Sequence, residues 1–312
     1  MRGKLGPILV GLGAFLLVAA LLLKVFAYPQ LAVAPIDQES VTELTGPGAT
    51  VFDTGTLSEI TTDLTTTANT VGDIEASQEQ GDNVRVWVNT SSTRSDDGVV
   101  RSRSIERVAF DAHTGEAVDC CGTYAETVEG QPEEVTFEGL VFKFPFGTQK
   151  ESYDFWDSTL LRAVPIAYVD TEDVEGVETY RFEHVIEPTV TGTMEAPASI
   201  LGEEAEGNLE AERTYSNTRT LWVEPRTGVI LKRAEAQLNT LRYDGEDRVT
   251  LTEVTTGYTD ETVKANAEEY GSLGNMLHLV NVVLPLVLGV LGLVAIIGGA
   301  LLLRRRQEPA HA

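Results

Sequence analysis

Cysteine is almost absent from this 312-residue chain: there are two, Cys120 and Cys121, and they are neighbours. So low a count rules out a disulfide framework as the source of stability. No Cys-x-x-Cys spacing or histidine cluster accompanies the pair, which argues against the common zinc sites. Histidine is scarce too, with only His113, His184, His278 and His311. Their spacing assigns no two of them to one site. The metalloprotease, nucleophile-elbow, phosphate-loop and dinucleotide-binding patterns are all missing. Carboxylates are so common that any pair chosen as a catalytic dyad would be arbitrary. Neither an enzyme nor a cofactor is expected.

Positive charge is also in short supply, with 23 Lys and Arg against 48 Asp and Glu, a net charge of −25. Much of what exists sits at the ends. With Arg2, Lys4, Lys24, Arg304, Arg305, Arg306 and Glu308 set aside, 17 basic and 47 acidic residues remain, a charge of −30. A field of that sign repels nucleic acid and anionic lipid headgroups and favours cations and basic partners.

Long apolar runs are missing from the middle of the chain and present at both ends. Leu5 to Phe26 is apolar but for Lys24, and Val282 to Leu303 is apolar throughout. Each meets the ~20 residues that a helix needs to cross a bilayer core. Arg2 and Lys4 before the first run, and Arg304 to Arg306 after the second, put both termini in the cytoplasm by the positive-inside rule. The segment between then lies outside. The first run admits a second reading, a cleaved signal peptide ending near Ala27. Its length and the charge of Lys24 favour an uncleaved anchor. Pro285 is placed to kink the second run, and neither run carries a charge deep enough to suggest an ion path.

The outer segment reads as strands. Asn83 to Thr90, Glu178 to Glu187 and Arg248 to Tyr258 alternate apolar and polar residues and are rich in β-branched side chains. Glu106 to Val118 and Arg219 to Leu231 align without gaps. Each reads as a strand, an acidic corner, a Thr-Gly turn and a second strand. Asp111 and Gly115 in the first match Glu224 and Gly228 in the second, and glycine suits such a corner because it takes positive φ without cost. These four are expected to be structural. Thr259 to Tyr270 has the cap and early acidic residues of a helix start. Gln149 to Arg162 and Ala196 to Ala205 are weaker helix candidates.

The expected fold is therefore mainly β (α+β), an extracytoplasmic domain of two related β-meander halves flanked by N- and C-terminal transmembrane helices. In order, it comprises a tail (1–4), a span (5–27), a first β half (28–140), a second β half (141–258), a helical stalk (259–276), a second span (277–303) and a tail (304–312).

Two features carry candidate sites. Adjacent Cα atoms stand ~3.8 Å apart, less than the usual ~4.4–6.8 Å of a bridged pair. For Cys120 and Cys121 a turn-locking vicinal disulfide and two unpaired thiols both stay open. The densest aromatic zone holds Phe142, Phe144, Phe146, Tyr153, Phe155 and Trp156. It suits either core packing or the lining of a site for an apolar ligand or a partner.

That same stretch, GLVFKFPFGTQKESYDFWD, resembles the signature of an actinobacterial envelope family, the porin PorA family. The strand VEGVETYRFEHVIEP, the WVEPRTG hairpin and the two terminal runs are similar to it as well, so the likeness covers nearly the whole chain. The resemblance implies a channel role and supplies no catalytic residues. The architecture is also similar to that of class B scavenger receptors, whose outer domain carries lipids, though no local motif is shared. Three functions follow as expectations. The first is an outer domain that binds or conveys a lipid-like molecule. The second is a porin-like channel component, and the third is an envelope scaffold. The expected partners are membrane lipid, envelope proteins or further copies of the chain, and no nucleic acid.

Overall fold

The computed structural model describes residues 5–304 except residue 129. The tails expected at 1–4 and 305–312 lie outside the described residues. The chain divides into two units, one formed by its terminal segments (to Val33 and from Ser272) and the other by Ala34–Gly271.

In the terminal unit, α1 (Leu5–Leu22) continues through a wide π-type turn, Leu23–Ala27, into α2 (Tyr28–Leu31). The C-terminal helix has the same interruption at Leu279–Val283, ahead of Leu284–Arg304. Each wide turn precedes a proline, Pro29 or Pro285, which lacks the N–H that an α-turn needs. Both helices are long and apolar enough to cross a membrane. The C-terminal helix (α5 below) packs antiparallel against α1. Gly13 meets Gly292 and Gly6 meets Gly299, and a Cβ added at Gly13 would stand 2.5 Å from the Gly292 carbonyl oxygen. The pairing runs through glycines seven residues apart, the close approach that small residues allow. The outward faces are apolar, as at Phe15, which is 67% exposed.

The central unit is a twelve-stranded sheet. Its strands are β1 (Glu39–Asp53), β2 (Ser58–Gly72), β3 (Val84–Ser95), β4 (Val100–Asp111), β5 (Tyr124–Glu126), β6 (Glu133–Glu134), β7 (Tyr153–Asp157), β8 (Arg162–Val174), β9 (Val177–Pro197), β10 (Asn208–Val223), β11 (Ile230–Tyr243) and β12 (Glu246–Tyr258). A short helix, α3 (Ile74–Glu79), links β2 to β3, and α4 (Asp260–His278) follows β12, ahead of α5 (Leu284–Arg304). The order is β6-β5-β4-β3-β2-β1-β12-β11-β10-β9-β8-β7, with antiparallel neighbours. The first and last long strands are thus partners, and the two arms of the meander run away from that seam. Tight turns at Glu175–Gly176 and Asp244–Gly245 place both residues at positive φ, the twist that two-residue hairpins require.

The arms meet again at their far ends. The Ala117 N–H donates to the Gly139 carbonyl, the Val118 N–H to Ala109, the Leu140 N–H to Asp154, and the Trp156 N–H to Leu140, all at 2.8–2.9 Å. Residues 116–118 and Leu140 therefore join β4 to β7, and the sheet rolls on itself.

Two expected helices are strands or turns instead. Gln149 to Arg162 contains β7 and a turn: Tyr153–Asp157 pairs antiparallel with residues 162–166 of β8, and the Asp157 carboxylate holds the turn between them. Ala196 to Ala205 contains a turn. The Ile200, Leu201 and Gly202 amides each reach back three residues, and the chain reverses at Gly202, φ +80°. The helix read at 259–270 is α4, capped by the Thr259 hydroxyl, which accepts from the Thr262 N–H at 3.2 Å. Its Val263 and Ala267 pack on Val174 and Leu231.

Candidate functional site

The two Thr-Gly corners have the same local design. Asp111 Oδ1 accepts from the amides of His113 (2.9 Å) and Thr114 (2.8 Å) and from the Thr114 hydroxyl (3.2 Å). Glu224 Oε2 accepts from the amides of Arg226 (3.1 Å) and Thr227 (2.7 Å) and from the Thr227 hydroxyl (2.7 Å). Both glycines have positive φ, and a Cβ on either would run into one short stretch of chain. At Gly115 it would lie 2.6 Å from the Lys143 carbonyl oxygen, and at Gly228 2.0 Å from that of Phe144. The strap Val141–Gly147 is clamped between the corners. Val141 donates to Gly115 and Phe146 to His113 on one side, while Phe144 donates to Gly228 and Gly147 to Arg226 on the other.

The aromatic segment is thereby drawn into the interior. Phe144 lies over Phe155 and Phe182 with centroids 5.6 and 4.5 Å away and meets Tyr153 edge-on. Leu140, Ile166, Leu221, Val223 and Ile230 complete the cluster. Phe142 packs on Trp87 and Phe110, and Trp156 on Phe137. Phe146 sits 3.8 Å from the Lys143 ammonium. Of the two roles open to these residues, the geometry is that of packing. Of two surface grooves, one of about 340 Å³ is lined mainly by polar side chains and one of about 410 Å³ by polar and apolar side chains in equal measure, and none of the six aromatics lines either. Lys143 is itself 4% exposed and its Nζ has no hydrogen-bond partner. Burial pushes it down to about 7, against an upward pull from Asp111.

Next to this apolar plug the interior becomes polar. On β10, Tyr215, Asn217 and Arg219 point inward at alternate positions and are buried. Arg219 bonds Asp157 of β7 at 3.0 Å and Glu235 of β11 at 2.8 Å. Asn217 donates to Glu235 at 2.9 Å and to the Tyr215 hydroxyl at 3.0 Å, and that hydroxyl donates to Asp157 at 3.2 Å. Arg233 also pairs with Glu235. Asp157 Oδ1 meanwhile holds the β7–β8 turn through the Thr159 and Leu160 amides. Burial alone would raise Glu235, but Arg219 and Arg233 outweigh it and hold the carboxyl well below its usual range. His184 of β9, opposite Arg219 in the ladder, is 3% exposed and neither ring nitrogen has a hydrogen-bond partner. Burial, and then Arg219, push its pKa down, which favours the neutral ring.

The facing arm is polar as well. The register places Thr70, Asn89 and Glu106 in one row and Thr66 and Thr93 in another. Ser91 and Ser104 stand between these rows on the same face. Glu106 accepts from the Trp156 indole N–H at 3.2 Å, which identifies this face as the inner one. These side chains are half-buried. The rolled sheet thus has an apolar plug at the strap, a buried charge layer beside it and a hydroxyl-lined wall opposite.

Cys120 and Cys121 are bonded to each other in the turn leading to β5, with Cα atoms 3.8 Å apart. Arg107 ties this turn to α3 by donating to the Cys121 carbonyl at 3.2 Å and pairing with the capping Asp73. Among the described residues no group of three or more His, Cys, Asp or Glu is arranged to hold a metal. The charge layer escaped sequence reading, although one signal was present. Arg219, Glu235 and His184 alternate in phase with apolar residues of their own strands: Leu221 and Val223 on β10, Leu231 and Leu241 on β11, and Phe182 and Ile186 on β9.

The profile of a family described as Porin PorA matches residues 5–301. A Porin PorA of Corynebacterium amycolatum is 25% identical, over 96% of this chain and 98% of the relative. A Porin PorA of Corynebacterium resistens is 26% identical, over 57% of this chain and 59% of the relative.

Proposed function

The chain belongs to the Porin PorA family, and from that premise we propose that it is a non-enzymatic, porin-like envelope protein that handles small hydrophilic solutes, cations above all. The supporting observation is the half-buried hydroxyl wall of β2–β4 on the inner face of the rolled sheet, built from Thr66, Thr93, Ser91 and Ser104. An apolar carrier has no use for such a face. The surplus of carboxylates in the outer segment draws cations toward it.

In this reading the helix pair is the anchor. Its glycine seam is tight and its outward faces are apolar, so one pair alone supplies no polar lining and a conducting path needs several copies. In the same reading both termini lie in the cytoplasm and the sheet outside, which the Lys and Arg residues at the two ends support. The matching corners and the two arms running from the β1–β12 seam are read as related halves. Envelope proteins and further copies of the chain are the natural partners. Lipid carriage stands lower, since the aromatic segment that suggested it is spent on core packing.

Purified protein in planar bilayers tests the proposal. It is expected to give discrete conductance steps with a reversal potential that favours cations. Silence after clean reconstitution, together with lipid that co-purifies one-to-one in native mass spectrometry, would sink it and restore the carrier reading.

A further inference from the structure

Strand β1 is longer than the partner beside it. β12 ends at Tyr258, opposite Leu44, and the chain then turns into α4. Residues Glu39–Glu43 have β2 on one side and no strand on the other. The Gln38 carbonyl accepts from Gly72, which is the β2 side. Glu43 points the opposite way, with its N–H 3.3 Å from the Thr262 hydroxyl and its carbonyl accepting from the Thr259 N–H at 2.9 Å. Strand alternation directs the amides of Glu39 and Val41 the same way as Glu43. They face a groove of about 340 Å³ whose far wall is α4, at Ala265, Asn266, Glu269 and Tyr270. The Val41 side chain is 66% exposed. Asp37, Glu39 and Glu269 border the groove, and no Lys or Arg lines it.

We propose that this groove takes up an extended, basic polypeptide segment of a partner protein as an added strand on β1. A bare strand edge offers donors and acceptors in a fixed repeat that an extended chain matches. With the outward groups of Glu43 already engaged by α4, the open edge is Glu39–Thr42, roughly 14 Å at a strand rise of ~3.4 Å per residue. The acidic border selects lysine or arginine at alternate positions. A second copy of this chain is the poorer occupant. Antiparallel pairing of the edge with itself about Val41 would set Glu39 against Glu43 twice, and like charges directly opposite are destabilising.

The full chain in detergent micelles is titrated with a fluorescein-labelled peptide of alternating Lys and Val, and with its Glu–Val counterpart. The Lys peptide is expected to bind in the micromolar range and to slow hydrogen exchange at Glu39 and Val41, with the Glu peptide at least tenfold weaker. Val41→Pro removes an outward N–H that β2 does not use, so it should weaken binding at least tenfold. Should that variant not fold, the Lys peptide methylated at alternate backbone nitrogens makes the same test on the native chain and is expected to lose binding to the same extent. Glu39→Lys with Glu269→Lys should invert the preference between the two peptides. Equal binding of the methylated and unmethylated peptides overturns strand addition in favour of charge attraction alone. Efficient Val41→Cys crosslinking between two copies overturns it in favour of self-pairing.

Discussion

Lys143 gives the sharpest test of how the strap is held. Its ammonium is buried between the two corners without a hydrogen bond, and its pKa falls from 10.5 to about 7. The folded value lies below the unfolded one, so the charged form is disfavoured by folding. Below pH 7 the lysine is protonated in both states and the penalty is full. Between 7 and 10.5 the unfolded chain binds more protons, so stability rises with pH, and above 10.5 the penalty is gone. A shift of this size corresponds to about 5 kcal/mol at ~1.4 kcal/mol per pH unit. The Phe146 face returns some of it, about 1–2 kcal/mol for a desolvated cation on a ring, so burial still wins. Lys143→Met keeps most of the packing and removes the titration. It should raise stability most at pH 6, and its advantage should shrink by about 1–3 kcal/mol between pH 6 and pH 9. Urea unfolding followed by the fluorescence of buried Trp87 and Trp156 measures this difference directly. A gap between variant and wild type that stays constant with pH, or that widens above pH 7, would refute the assignment of a buried, mostly desolvated amine.

Two further perturbations address the charge layer and the helix pair. Arg219→Met strands Asp157 and Glu235 in the interior and should cost about 3–5 kcal/mol in urea unfolding at neutral pH. Because the Glu235 pKa is held down, its contribution is present above the usual carboxylate range and lost on acidification, so the gap should narrow below about pH 4.5; an unchanged midpoint at pH 7 contradicts a buried network. Gly13→Leu should force α1 and α5 apart, read as a longer spin-label distance between them, while Gly11→Leu, with no atom within 4 Å of its Cβ position, should leave that distance alone.

The sequence made the apolar helices and the more apolar strands legible, because those elements advertise themselves by composition. Glu178 to Glu187 and Arg248 to Tyr258 fall within β9 and β12 for that reason. β2 was invisible to the same test. Its inner residues Thr66 and Thr70 are as polar as its outer residues Thr67 and Asn69, so no apolar alternation marks the strand. The corners at Asp111 and Glu224 were readable because a turn's chemistry is local. What they clamp was not, since the strap meets them across more than eighty residues on the Glu224 side. The helix read over 149–162 failed for a related reason: Trp156 and Phe155 are adjacent and both buried, which suits a helix face until β8 and Phe137 supply one partner to each. The pairing of Arg219 with Asp157 depends on the roll of the sheet, and no pattern within one strand encodes it.

The seam between β1 and β12 has a consequence for the order of events in folding. Thr45 and Gly257 are partners about two hundred residues apart in sequence. The hairpins β1–β2 and β3–β4 are local and form first, whereas contacts of such high sequence separation form slowly. At ~5–20 residues per second of synthesis, β1 waits roughly 10–40 s for its partner strand. Through that interval the nascent sheet carries a bare edge, protected by the charges of Glu39 and Glu43 and by the irregularity at Gly46–Ala49. Late arrival of β12 makes this edge the point at which an unfinished chain is most exposed to mispairing.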